Sequence, residues 1–329
     1  CPHPKDIDPV KLAFIIDPLE KLDPGHDSTV AMMEAAQKLG HEVFVASVGD
    51  LAVINGQAWA KLATVRLQPV ILVGGHWQVS QPWYEVSEPQ WMDLTECQAV
   101  FMRKDPPVTV PYLYATFILE LLAPTKTMVI NSPQGLREAN EKMYTLQFAA
   151  VMPTTVVSLD KGLIRQFLEE QGAAVLKPLG GKAGEGILFL DPGDRNFNSL
   201  VEVSTQHGKE PVMVQRFLPE AKEGDKRIIL LDGDPIGAVN RIPSGAEFRG
   251  NMAVGGQVAR TTITSREAEI CALLKPKLQS DGLYFVGIDV IGGYLTEVNV
   301  TSPTGIREID RLEGVRLGEK VIYWLEKQF

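Results

Sequence analysis

The first third of the chain alternates strands and helices, and no other feature narrows the fold as much. KLAFIID (Lys11–Asp17) is a continuous apolar run of the kind buried on both faces of a sheet. DSTVAMMEAAQKLG (Asp27–Gly40) opens on a polar N-cap, carries an apolar stripe and closes on glycine, which predicts a helix. EVFVASV (Glu42–Val48) reads as a second strand. A strand, a helix and a strand in that order imply a parallel pair, because the chain crosses one sheet face before it returns in the same direction. The turn after the first strand, DPLEKLDPGHD, has no G-x-G-x-x-G, which argues against a dinucleotide site there. Residues 51–98, rich in Trp, Gln and Pro, read as irregular. AVFMR (Ala99–Arg103), a helix near Pro111–Leu122 and TMVIN (Thr127–Asn131) then resume the alternation.

A second unit begins near residue 132. Ser132-Pro133 is an N-cap followed by proline at the first helical position. Beyond it the pattern predicts a helix (Glu141–Ala150), a strand (Thr154–Ser158), a helix (Lys161–Gln171), the strand AVLKP and a Gly-rich segment. ILFL, a helix around Asn198–His207 and the strand VMVQRF follow. The last third holds the hairpin KRIILLDG/DPIGAVNRI, a long polar loop, a helix opened by the capping box Thr264-x-x-Glu267, a second hairpin and a C-terminal helix. At 329 residues the chain can bury two or three cores.

Composition removes several classes of function. The net charge of -9 makes nucleic-acid binding by bulk electrostatics a poor fit, while leaving room for a local basic site. No apolar run approaches a membrane span. Cys1, Cys97 and Cys271 are too few and too scattered for a disulfide framework or a zinc site, so a reduced, cytoplasmic protein is expected. The proline-rich opening CPHPKDIDPV is read as a trimmed leader or an expression scar, outside the fold.

Four features could carry chemistry. KPLGGKAGEGILFL (Lys177–Leu190) sets four glycines between two strand-like runs, so its backbone N–H groups can approach a phosphate closely. It is not a P-loop, and it reads either as a flap over a nucleotide or as a flexible turn. Lys177 ends an apolar strand, where it snorkels or meets a buried anion. Lys142 sits at a predicted helix start, where its charge opposes the dipole unless an anion binds there; an exposed surface lysine is the plain alternative. The loop PSGAEFRGNMAVGGQVAR (Pro243–Arg260) exceeds the usual ~12–15 residues of a structureless connection. Its glycines and its two arginines, Arg249 and Arg260, suit a lid over an anionic intermediate, with surface disorder as the alternative. Residues Ser244 to Gln257 are expected to be weakly packed without ligands.

The fourth feature is the hairpin GIDVIGGYLTEVNV (Gly287–Val300), whose strands carry Asp289, Glu297 and Asn299 where apolar residues would pack better. Two carboxylates and an amide are hard oxygen ligands suited to Mg²⁺ on nucleotide phosphates. Glu297 and Asn299 share a face. Asp289 joins them only if the register is odd. A two-residue Gly292-Gly293 turn sends it to the opposite face, whereas an odd loop pairing Ile291 with Leu295 sets it across from Glu297 at ~4.5–5.5 Å between Cβ atoms. A solvated face is the alternative. The metal reading requires the odd loop.

NEKMYTLQF (Asn140–Phe148), VLKPLGGKAGEG, EGDKR (Glu223–Arg227) with RGNMAVGG (Arg249–Gly256), VGIDVIGGYLTEVNVTSPTGIREI and MRKDPP (Met102–Pro107) together resemble bacterial glutathione synthetase, an ATP-grasp ligase family. The resemblance runs from about Lys11 to the C-terminus. It implies an α/β, ATP-grasp fold: residues 1–10 as an extension, an N-terminal parallel α/β domain over 11–131, a central subdomain over 132–218 and a C-terminal subdomain over 219–329, the last two being α+β and enclosing ATP. It implies ligation of γ-glutamylcysteine and glycine through an acyl phosphate, with release of ADP and phosphate. ATP would meet Lys142, Lys177, the flap glycines Gly180, Gly181, Gly184 and Gly186, the backbone of Gln215, Arg216, Phe217 and Leu218, and Asp225. Asp289, Glu297 and Asn299 would hold Mg²⁺, with Mn²⁺ as the substitute, and Arg227 and Arg249 would be catalytic. A homo-oligomer, dimer or tetramer, is implied. The flap departs from the family's common Asp-Gly-Met-Gly-Gly, so which amide meets which phosphate stays open. Alternatives are an ATP-grasp ligase with another acceptor, such as glutamate or D-alanine, and a nucleotide-binding regulator that has lost catalysis.

Overall fold

A computed structural model of the chain describes residues 8–180, 184–243 and 257–329. Strand β1 (Lys11–Ile15), helix α1 (Ser28–Lys38) and strand β2 (Glu42–Ala46) form the expected unit, and β1 and β2 pair in parallel. Asp27 starts α1, its Oδ1 accepting from the amides of Thr29 (2.6 Å) and Val30 (3.1 Å).

Residues 51–98 are not irregular. They form β3 (Leu51–Ile54), β4 (Gln57–Leu67), β5 (Ile71–Val73), β6 (His76–Gln78), β7 (Tyr84–Val86) and β8 (Gln90–Asp93). The missed signal was Asn55-Gly56, both at positive φ (51° and 79°), which turns β3 into β4 as a tight hairpin. Strand β4 is long because its buried positions alternate along QAWAKLATVRL, with Lys61 and Arg66 outward. After β9 (Ala99–Met102), α2 (Val110–Glu120) and β10 (Met128–Ile130), the order β10-β9-β1-β2-β4-β3 is complete. The pairs among β10, β9, β1 and β2 are parallel, and β4 joins antiparallel.

Ser132 caps α3 (Pro133–Glu138) through the Gly135 amide, with Pro133 at the first helical position. The helix expected over Glu141–Ala150 is instead a 3₁₀ stretch, Tyr144–Val151, broken at Phe148. Asn140 is the reason: its Oδ1 accepts from the amides of Lys142 (3.2 Å) and Met143 (3.0 Å), holding residues 141–143 in a side-chain-closed turn. Strand β11 (Thr155–Ser158), α4 (Lys161–Gln171), β12 (Ala174–Pro178), β13 (Leu188–Leu190), α5 (Phe197–Ser204) and β14 (Val212–Arg216) then build an antiparallel sheet, ordered β11-β14-β12-β13. Its apolar residues, among them Phe167, Leu176, Phe197 and Val214, form a cluster of their own.

A second antiparallel sheet, ordered β17-β16-β15-β18-β19, holds β15 (Asp225–Leu231), β16 (Asp234–Ile242), β17 (Gln257–Arg260), β18 (Phe285–Ile291) and β19 (Tyr294–Asn299). The helix α6 (Ser265–Ser280) starts at a complete capping box, Thr264 with Glu267, and covers one face through Ile270, Leu274 and Leu278. On the other face Ile229, Leu231 and Phe285 share a cluster with α1, with the parallel sheet, and with α7 (Ile306–Glu313) and α8 (Leu317–Glu326). The part of that face not covered by helices opens into a cleft toward the four-stranded sheet.

Candidate active site

The cleft is lined from both sheets. Lys177 from β12 and Gln215 from β14 face it on one side, and Asp225, Arg227, Arg241, Asp289, Glu297 and Asn299 face it on the other. Lys142 enters from the turn before the 3₁₀ stretch. Alternation decides which residues arrive. In β18, Val286, Ile288 and Val290 point to α6, so Asp289 points away from it into the cleft.

The register of the hairpin differs from the expected one, and the difference is informative. Ile291 pairs with Tyr294 across a two-residue Gly292-Gly293 turn, both glycines at positive φ (55° and 77°). The odd residue lies one pair further in. A bulge between Val290↔Leu295 and Asp289↔Glu297 leaves Thr296 as the extra residue, and its Oγ1 donates to the Asp289 carbonyl at 3.1 Å. Asp289 therefore still faces Glu297. An odd loop would have turned Leu295 into the cleft. With the bulge, Leu295 is fully buried beside Val290, a placement that stabilises by roughly 1.5–3 kcal/mol.

Arg227 grips Asp289 with two bonds, Nε to Oδ1 at 2.5 Å and Nη2 to Oδ2 at 2.9 Å, and its Nη1 reaches the Thr304 carbonyl at 3.2 Å. Gly287 leaves the space for this, since a Cβ there would lie 3.0 Å from Arg227 Cδ and 2.8 Å from Pro303 Cβ. Arg241 bridges Asp225 (2.6 Å) and Asp289 (3.0 Å). Lys142 Nζ lies 3.1 Å from Glu297 Oε1. Lys177 Nζ donates to Gln215 Oε1 at 2.6 Å, and Gln215 in turn donates to Thr155.

The prokaryotic glutathione synthetase N-terminal domain matches residues 10–137, and the ATP-grasp domain of the same family matches residues 141–314. A glutathione synthetase of Synechocystis sp. is 94% identical over 320 residues, covering 97% of this chain and 100% of that one. That of Thermosynechococcus vestitus is 63% identical and covers 95% and 99%. The chain belongs to the prokaryotic glutathione synthetase family. It is a glutathione synthase, an ATP-dependent ligase of the ATP-grasp fold. Two solved structures share that fold at low identity. They are the ATP-grasp ligase PsnB complexed with a minimal precursor (TM-score 0.64, 17% identity, 98% and 99% covered) and the D-cycloserine synthetase DcsG (0.64, 16%, 97% and 100%).

Within this synthetase cleft the charges are strongly perturbed. Burial alone would raise Asp289, but the charges of Arg227 and Arg241 outweigh it and hold the carboxyl well below its usual range. Burial pushes Asp225 up to about 6, against the pull of Arg241. Burial also lowers Lys177, despite Glu297 nearby. Among the described residues no three His, Cys, Asp or Glu side chains form a metal cage. A divalent ion would thus rest on two carboxylates, one amide oxygen and the nucleotide's own phosphates, the usual arrangement for a phosphate-bound ion. Asn299 fits this, since its Nδ2 donates to the Gly287 carbonyl (3.1 Å) and Asp289 Oδ2 (3.3 Å), leaving its oxygen for a cation.

Other expected residues fall less centrally. Gly184 lines the cleft, and Gly184 and Gly186 have positive φ (77° and 71°); Gly180 ends the β12 side of the same connection. Arg216, Phe217 and Leu218 line it too, but the amides of Arg216 and Phe217 already donate to Thr154 and Ala173, so those donors are spent. Gly181, Arg249 and the loop from Ser244 to Gly256 lie outside the described residues. The dipole-opposing role for Lys142 does not hold, because no helix starts there; Glu297 faces it instead. Sequence reading missed Arg241 and Glu141. Arg241 had a weaker form of the Asp289 signal, a charge near the end of DPIGAVNRI, where Asp234 and Asn240 also interrupt the apolar residues.

Proposed function

We propose that the cleft binds ATP with its phosphates between Lys142 and Lys177, with Asp289, Glu297 and Asn299 holding Mg²⁺ in preference to Mn²⁺. What supports this is the meeting of two lysines from one side with an amide and two carboxylates from the other, across a single cleft. The metal, when bound, neutralises phosphate charge and keeps the γ-phosphoryl group in line for transfer. The cysteinyl carboxylate of γ-glutamylcysteine attacks the γ-phosphorus, the bond to ADP breaks, and an acyl phosphate forms. Glycine's neutral amine then attacks the acyl carbon and inorganic phosphate leaves. Arg227, locked in orientation by Asp289 and the Thr304 carbonyl, stabilises charge on the transferring phosphoryl group, and Arg241 adds a second guanidinium from the adjacent strand. Arg249 is assigned a catalytic role from the sequence motif.

No helix among the described residues is long and apolar enough to cross a membrane. A cytoplasmic homo-oligomer fits the reading. Val110, Tyr114 and Phe117 leave one apolar stripe of α2 exposed, which suits self-association. The test is to follow phosphate and glutathione together. With γ-glutamylcysteine alone, phosphate release is slow; adding glycine accelerates it to one phosphate per glutathione. Phosphate release that ignores glycine would sink the proposal.

A further inference from the structure

Among the described residues strand β19 is the last in its sheet, so one row of its backbone groups faces no neighbouring strand there. The Glu141 main chain and side chain occupy that row. Its carbonyl accepts from the Val298 amide at 3.2 Å, and its Oε1 accepts from the amides of Val300 (2.9 Å) and Thr301 (3.1 Å) and from Thr301 Oγ1 (2.9 Å). These contacts bracket Asn299 on both sides. The next residue is Lys142, whose Nζ meets Glu297 two positions earlier on the same strand. Burial and the charge of Glu297 both push the Glu141 carboxyl up, so the fold holds it there for its acceptor geometry at an electrostatic cost.

We infer that Glu141 is a positioning residue that fixes Glu297 and Asn299 relative to Lys142, so that cation ligands and phosphate lysine move as one rigid unit. The inference rests on the roles proposed above for those three residues. A side chain that orients ligands without touching the ion typically changes metal affinity by roughly 10- to 100-fold when removed. Among the described residues the donors to Glu141 Oε1 are two amides and one hydroxyl, which any oxygen acceptor at that place would satisfy.

The test measures Mn²⁺ binding by electron paramagnetic resonance in the presence of ADP, together with unfolding midpoints without ligand. Glu141→Ala is expected to weaken Mn²⁺ binding about 10- to 100-fold. Glu141→Gln, which keeps the acceptor and loses the charge, should stay within about twofold of wild type on the same reasoning. Should Glu141→Ala not fold, Glu141→Asp, one methylene shorter, replaces it with the same expected direction. Equal loss in the Gln and Ala variants would overturn the inference, as would Mn²⁺ affinity unchanged in Ala or Asp. Glu297→Gln is the control for the underlying reading: unchanged Mn²⁺ binding there means the metal assignment itself is wrong, whatever Glu141 does.

Discussion

Lys177 is the residue whose cost and use are easiest to separate. Its side chain is half-buried, its pKa is lowered by desolvation, and its ammonium donates to the neutral Gln215. Charged hydrogen bonds to phosphate contribute ~1.5–3 kcal/mol, so Lys177→Met should weaken ATP binding about 10- to 100-fold in calorimetry. The unfolding midpoint without ATP should not fall, because methionine keeps the stem's packing and removes a desolvated charge. Normal ATP affinity in the variant would leave Lys177 without a role. Asp225 gives a second outcome, in pH. Its folded-state pKa of about 6 lies above the ordinary 3.8, so its contribution to stability is complete below that ordinary value and is lost as pH rises through 6. Asp225→Asn should therefore gain on wild type in urea midpoint as pH rises across this window; parallel curves would show that Asp225 is not raised. Asp289 is depressed and shifts stability the opposite way, but it is present in both proteins. At this scale the sequence showed Lys177 and Asp289 as charges interrupting apolar strands, whereas Arg241, in a more mixed strand, went unread. It was not legible at Glu141, whose turn gave no pattern, because its partners lie some 160 positions away.

The β18–β19 hairpin shows what a strand pattern can and cannot specify. Alternation required one extra residue somewhere between Asp289 and Glu297, but it did not say where. Two local preferences decided it: paired positive-φ glycines favour the two-residue turn, and Leu295 favours the core. The extra residue was left to Thr296, whose hydroxyl bonds the Asp289 carbonyl. Deleting Thr296 should therefore regularise the ladder without moving Glu297 from its place opposite Asp289, and Mn²⁺ binding should stay within about tenfold of wild type. Inserting one alanine after Thr296 should instead let the ladder run regularly from Val290↔Leu295, which keeps Glu297 on the cleft face but sets it opposite Gly287, two residues from Asp289, so Mn²⁺ binding should fall more than about tenfold. Metal binding lost in the deletion and kept in the insertion would refute this account. The hairpin at Asn55-Gly56 was missed for a different reason: Ala58 and Ala60 fill buried positions of β4 while the larger Trp59 takes the opposite face between them, which hides a period of two.

Across the whole molecule, the apolar clusters divide the chain differently from the sequence. The four-stranded sheet keeps its cluster to itself, so it can open without disturbing the rest. In native-state hydrogen exchange its strands, 155–216, should exchange through openings of lower free energy than β1 or β18, and ATP with a divalent ion should slow them selectively. Uniform exchange across all three sheets would contradict this. The other clusters cross the chain from end to end. Ser28 accepts from the amides of Gly305 and Ile306, Arg103 donates to the Pro303 carbonyl, and α1 packs against α8. The break between residues 137 and 141, where one family domain ends and the next begins, therefore falls inside a shared interior. Such a chain cannot be inherited or exchanged in halves: a new first domain would have to arrive already shaped to the underside of the old catalytic sheet.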